Sequence, residues 1–145
     1  MQAHELANRL EAILDDAKTG VLATADADGR IHMRWMTPVV LKQRRGAIFA
    51  FSKPDAAKVS QIAASGSAAW IIQTRDLREI IHCSGPTRVV DNPALKAELM
   101  EILGPRLAIF WKTNAPGEEF VVIETIIKEA TLFKPMQAVR ETVTF

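Results

Sequence analysis

The sequence contains no tyrosine and one cysteine, Cys83, in 145 residues. A single thiol excludes an intrachain disulfide and a thiolate zinc site. It leaves Cys83 to be read as a buried structural thiol within a strand. The three histidines, His4, His32 and His82, are scattered, so no metal-ligand spacing arises and no metal site is expected. Neither sign of charge dominates. Eighteen Lys and Arg against 17 Asp and Glu leave a formal net charge of +1, so the basic face that nucleic-acid binding requires is missing. Lys42 to Arg45, the one basic run, reads as a solvated hairpin tip. No apolar run approaches the ~20 residues of a membrane helix. The N-terminal stretch carries His4, Glu5, Arg9, Glu11, Asp15 and Asp16, which interrupt the apolar segment a secretory leader needs. The expectation is a soluble, cytoplasmic protein with neither nucleic acid nor membrane as a partner. Glycine-rich nucleotide loops, a G-x-S-x-G elbow and an H-E-x-x-H pair are also missing, which removes several common enzyme classes.

What is present is ordinary globular composition, 48% hydrophobic and 24% charged, enough for one domain with a continuous core. Leu6, Leu10, Ile13, Leu14 and Ala17 recur at helical spacing and predict an amphipathic helix from about Ala3 to Ala17. Val21 to Ala25 reads as a strand. Asp26-Ala27-Asp28-Gly29 is hairpin chemistry, since Gly29 accepts positive φ without steric cost. The strand returns from Arg30 to about Leu41, and Arg44-Arg45-Gly46 turns into an apolar strand at Ala47 to Phe51. Pro54 suits the first turn of a helix, which Ser65-Gly66 ends. Ala68 to Gln73 and Glu79 to Val90 form a further hairpin, with Gly85-Pro86 a bulge or edge feature. Asn92-Pro93 caps a helix whose Leu95, Leu99, Ile102 and Leu103 face inward. A last long strand covers Phe120 to Phe133. Sequential hairpins of this kind predict a mainly β, α+β fold: about six antiparallel strands curled into a small barrel with flanking helices, as one domain over 1–145.

The informative stretch runs from Gly29 to Lys58. Period-two alternation puts His32, Arg34 and Met36 on one strand face and Ile31, Met33 and Trp35 on the other. If the Arg34 face is covered, the guanidinium needs an anionic or polar partner; otherwise that face is wet. Lys58 sits near a helix N-terminus, where the macrodipole disfavours a cation by roughly 0.3–1 kcal/mol. A phosphate bound there would reverse that sign; without one, Lys58 is an ordinary exposed lysine. Ser52 adds a hydroxyl at the same strand-to-helix junction.

Taken in order, Gly29-Arg30-Ile31-His32-Met33-Arg34-Trp35-Met36-Thr37, then Phe49-Ala50-Phe51-Ser52, then Lys58, resemble the flavin-binding core of the pyridoxamine 5′-phosphate oxidase-like split barrels. The short general-stress-protein branch is the more specific likeness, and Cys83 to Asp91 fits its glycine-containing strand and acidic turn. The resemblance covers roughly Leu6 to Phe133. It implies a split β-barrel that binds FMN non-covalently at a homodimer interface. Arg34 matches the strand arginine that contacts the flavin phosphate or ring edge. Trp35, Met36 and Thr37 match positions lining the isoalloxazine, Phe51 and Ser52 the aromatic and hydroxyl pair at the next strand end, and Lys58 the lysine that holds the phosphate. Trp111 is a candidate to cover the ring from the partner, and Phe110, Trp111 and Met36 are expected to be surface that a partner covers. Val39 and Ile80 stand where the oxidase that makes pyridoxal phosphate has lysine and glutamine, and its C-terminal arginine segment has no counterpart in Met136 to Phe145. Pyridoxamine phosphate oxidation is therefore not expected. The implied function is a flavin-dependent oxidoreductase with a small-molecule electron donor or acceptor. Alternatives are a non-catalytic flavin-binding stress protein, or the same fold holding haem, with His32 or His82 as axial candidates, or the deazaflavin F420. No acid–base pair accompanies the motif, so no catalytic residue is assigned; His32 is the one nearby group that titrates near neutrality.

Overall fold

A computed structural model describes residues 1–104 and 119–145. Helix α1 spans Ala3–Ala17 and turns Leu6, Leu10, Ile13 and Leu14 into the main core, as its periodicity predicts. Strands β1 (Gly20–Ala25) and β2 (Ile31–Met36) form the first hairpin. Its turn rests on Gly29 at φ 81° and on the Asp26 carboxylate, which accepts from the backbone N–H groups of Asp28 and Arg30, each at 2.9 Å. β2 stops at Met36 rather than Leu41. Pro38 offers no N–H to a ladder, and beyond it only an isolated bridge links Val39 to Phe49.

β3 (Ala47–Ser52) is buried along its whole length. The Lys42–Arg45 tip before it is solvated, as expected, and its two arginines also reach carboxylates, Arg44 that of Glu124 and Arg45 that of Glu11. Helix α2 (Ala57–Ser65) begins three residues after Pro54, which occupies the preceding turn and not the first helical turn. β4 (Ser67–Gln73) and β5 (Ile80–Val90) pair from Ser67–Pro86 to Gln73–Ile80. Helix α3 (Pro93–Leu103) is capped by Asn92, whose side-chain oxygen accepts from the N–H groups of Ala94 and Leu95. Leu95, Leu99 and Leu103 are buried, but Ile102 is 38% exposed and does not face inward.

The expected single strand from Phe120 to Phe133 is divided. β6 (Val121–Ile126) and β7 (Glu129–Lys134) lie along β5 with a slip of one residue between them: Thr87 faces Thr125, whereas Ser84 faces Glu129. The extra residue is a bulge pressed onto Gly85, where an added Cβ would sit 1.8 Å from the Ile126 carbonyl oxygen. Gly85-Pro86 thus marks a bulge, but the inserted residue belongs to the opposing strand. Here the sheet splits: β6 carries β3, while β7 carries β8 (Val139–Thr144), a strand beyond the six expected from the sequence. The path β2-β1-β4-β5-β6-β3, with β7 and β8 branching from β5, makes an eight-stranded antiparallel sheet curled into a half-barrel, an α+β split-barrel fold.

Two apolar clusters stabilise it. One fills the barrel between α1, α2 and the sheet, around Trp70, Ile81 and Leu132. The indole N–H of Trp70 donates to Thr125 Oγ1 at 3.0 Å, and that hydroxyl also meets Thr87 Oγ1 at 3.0 Å, so the buried polar atoms are satisfied. The other cluster lies between the outer side of β3 and β6 and helix α3.

Candidate anion and cofactor site

Arg34 and Leu22 face each other across β2 and β1, so the guanidinium enters the covered side of the sheet beneath α2. Its Nη1 donates to the Leu22 carbonyl oxygen (3.2 Å) and Thr24 Oγ1 (2.8 Å), and its Nη2 to Gln61 Oε1 (3.3 Å). Thr24 Oγ1 donates in turn to Gln61 Oε1 at 2.6 Å. Thr24 is 2% exposed, so this network is internal. The covered-face alternative for Arg34 is the one realised, and its partners are neutral.

Lys58 occupies the first turn of α2, whose N-cap Ala56 supplies no side-chain acceptor. Burial pushes its pKa down, and the Arg34 charge adds to that depression. Burial also lowers the pKa of Arg34. Among the described residues, no carboxylate pairs with either cation. An anion placed between two such half-buried like charges would remove both their repulsion and part of their desolvation cost.

The other sequence candidates divide. Met36 is 7% exposed and packs in the barrel core on the Arg34 side, so it is not surface awaiting a partner. Thr37 is buried beside it. Ser52 is buried at the end of β3, where its hydroxyl donates to the Lys53 carbonyl oxygen at 3.0 Å. The Phe51 ring turns the opposite way into the α3 cluster, with its centroid 6.2 Å from that of Phe120. Trp35 is half exposed on the outer sheet face, bordering a recess of about 250 Å³ with Val21, Ile71 and Gln73. Phe110 and Trp111 lie outside the described residues. His32, from the Arg34 side of β2, meets Asp26 at 2.9 Å in an exposed pair, and its hydrogen bond is the first cause of the lowered Asp26 pKa.

Thr24 and Gln61 escaped the sequence reading. Gln61 lies one helical turn after Lys58, on the same face, which is a signal available in sequence. Near the hairpin end of β1, an open groove of about 470 Å³ is lined by small residues including Thr24, Ala25, Gly66, Ala68 and Ser84. Among the described residues, no cluster of histidine, cysteine or carboxylates could hold a metal ion, and no helix is long and apolar enough to cross a membrane.

This architecture is that of the split-barrel proteins. The chain belongs to the pyridoxamine 5′-phosphate oxidase-like family, whose model matches residues 5–140. No curated protein matches the sequence. Among solved structures, general stress protein 26 from Bacillus anthracis is similar with a TM-score of 0.70 at 17% identity, over 97% of this chain and 99% of that one. A pyridoxamine 5′-phosphate oxidase-related, FMN-binding protein from Nostoc punctiforme aligns with a TM-score of 0.62 at 14% identity, over 99% and 94%. A haem-binding protein from Mycobacterium smegmatis aligns with a TM-score of 0.74 at 17% identity, over 99% of this chain and 58% of that one. At these identities the likeness concerns the fold.

Proposed function

We propose that the chain is an FMN-binding flavoprotein, working as a flavin-dependent oxidoreductase of its family. The observation that carries this reading is the pairing of Arg34 with Lys58: two half-buried cations, mutually repelling and without a carboxylate among the described residues, fit one phosphate group. The remaining donors are consistent with that use. Lys58 stands in a helix first turn, where backbone N–H groups are also directed at an anion. Arg34 and Lys58 would hold the phosphate, and Met36 and Thr37 would border the ring through their backbone. FMN, when bound, supplies the hydride and electron chemistry. The protein contributes binding and orientation, since Arg34 does not deprotonate and His32 is already engaged by Asp26.

A homodimer completes the proposal. β2 is an edge strand, and its outer face exposes Ile31 (71%), Met33 (72%) and Trp35 (50%), continued by Ile71 (40%) on β4. An apolar stripe of this kind marks a surface that a partner covers, and a second copy of the chain would bring two equivalent sites together.

The visible spectrum of purified protein tests the cofactor. A flavin doublet, lost in parallel with affinity in Arg34→Ala and Lys58→Ala, is expected. A Soret band or a single deazaflavin absorption would replace FMN by haem or F420, and a colourless protein that takes up no added FMN would end the reading. Stopped-flow reduction by NADH or NADPH tests turnover; a bound flavin that no nicotinamide reduces favours a storage or stress role. Sedimentation of the FMN-bound protein as a monomer at micromolar concentration would refute the dimer.

A further inference from the structure

We propose that Gln61 and Thr24 are the positioning residues of the anion site, holding Arg34 so that one particular edge of its guanidinium faces the ligand. The proposal rests on the phosphate reading of the Arg34–Lys58 pair and specifies how that site selects its ligand. A guanidinium has five N–H donors arranged along a side edge, Nε with Nη2, and an end edge, Nη1 with Nη2. Nη1 spends both hydrogens, on the Leu22 carbonyl and Thr24 Oγ1. Nη2 spends one on Gln61 Oε1. Because Gln61 Oε1 lies 2.6 Å from the same Thr24 hydroxyl that Nη1 contacts, it sits on the end edge, between Nη1 and Nη2. Among the described residues nothing accepts from the side edge, Nε–H with the second Nη2–H, which offers two parallel donors. That edge matches two oxygens of a phosphate in a bidentate pair.

The network has only one consistent orientation. Arginine donates and never accepts, so Gln61 must present its oxygen, and Thr24 must accept from arginine and donate to Gln61. Every acceptor is neutral, so the guanidinium is fixed without losing its charge to an internal carboxylate. Helix α2 delivers two functions from one face: Lys58 brings the second cation and Gln61, three residues on, the restraint. Holding the fork in advance removes the rotamer freedom that a free arginine would lose on binding.

The test compares FMN with riboflavin, which carries the same ring without the phosphate. Gln61→Leu and Thr24→Val are each expected to weaken FMN binding by about tenfold, a fraction of the effect of losing a charge-assisted hydrogen bond, and to leave riboflavin binding unchanged within about twofold. Thr24→Ser, which keeps the hydroxyl, should retain wild-type FMN affinity. Gln61→Glu keeps an acceptor in place but neutralises the guanidinium, and should weaken FMN more than Gln61→Leu does. Equal losses for FMN and riboflavin, or no loss for either, would overturn the proposal. If wild type binds no FMN, titration with inorganic phosphate separates the two ideas. Phosphate binding that Gln61→Leu weakens keeps the positioning role while the cofactor reading falls, and the lack of phosphate binding by wild type overturns both.

Discussion

Replacing Lys58 with methionine should make the ligand-free protein more stable and the liganded one less so. The substitution keeps the aliphatic stem and removes a charge that the α2 dipole, desolvation and Arg34 all oppose. The dipole alone costs a first-turn cation about 0.3–1 kcal/mol, so FMN-free Lys58→Met should gain about 0.5–1 kcal/mol, roughly 1–4 °C in Tm for a chain of this size. FMN reverses the order. At a concentration of ~100 Kd, the wild type gains ~2.7 kcal/mol from the ligand. Losing one charge-assisted hydrogen bond, ~1.5–3 kcal/mol, raises Kd on the order of 10–150-fold. With a ~30-fold loss, the same FMN concentration stabilises the variant by only ~0.9 kcal/mol, and the wild type leads by about 1 kcal/mol. Thermal melts of deflavinated and FMN-saturated protein measure all four states. A variant that melts below wild type without FMN would refute the claim that Lys58 is an uncompensated charge. One that gains as much as wild type from FMN would refute its contact with the phosphate.

Three further outcomes follow from particular residues. Because the Lys58 pKa is depressed below its ordinary 10.5, FMN affinity should fall as pH rises through that lowered value, before free lysine titrates. It should also fall below about pH 6, where a phosphate monoester loses its second charge; fluorescence titration across pH checks both limbs, and a flat alkaline limb would exclude Lys58. Burial pushes the Cys83 thiol from 9.0 up to about 12, so native protein should resist thiol reagents at pH 8 and react only when unfolded. The same raised pKa contributes stability that is intact below 9 and is lost as pH climbs toward 12. Gly85→Ala forces a Cβ against the Ile126 carbonyl and should cost more than about 4 kcal/mol, whereas Gly104→Ala, with open space around it, should change stability by under about 1 kcal/mol; equal denaturation midpoints for the two would contradict the bulge geometry.

The sequence was most legible where local chemistry decides structure. The α1 periodicity, the Asp26–Gly29 turn and the Asn92 cap each act within a few residues, and each matches the structure. It was least legible where distant partners decide. Nothing local in Phe120 to Phe133 announces a one-residue slip, because the slip is defined only against Thr87 and Ser84 on β5. β8 reads as a polar tail, exposed at Arg140, Glu141 and Thr142, and becomes a strand by pairing with β7. At the site, alternation placed Arg34 and Met36 on one face and Trp35 on the other, which the burial of β2 bears out. The neutral acceptors Thr24 and Gln61 could not be found from charge, since they work by being uncharged.

The place of β3 in the sheet has a consequence for how the chain must be made. All six of its residues are buried, and among the described residues its ladder partner is β6, about seventy residues further on, so apart from the Val39–Phe49 bridge a nascent chain growing at ~5–20 residues per second holds Ala-Ile-Phe-Ala-Phe-Ser without its ladder for roughly 4–14 s. During that interval the segment has the composition of an aggregation-prone strand, apolar and uncharged. Arg44, Arg45 and Lys53 flank it as gatekeepers. The same arginines that later anchor the tip to Glu124 and Glu11 thus serve first as a solubilising collar, and neutralising them should lower the yield of folded protein more than it lowers the stability of what does fold.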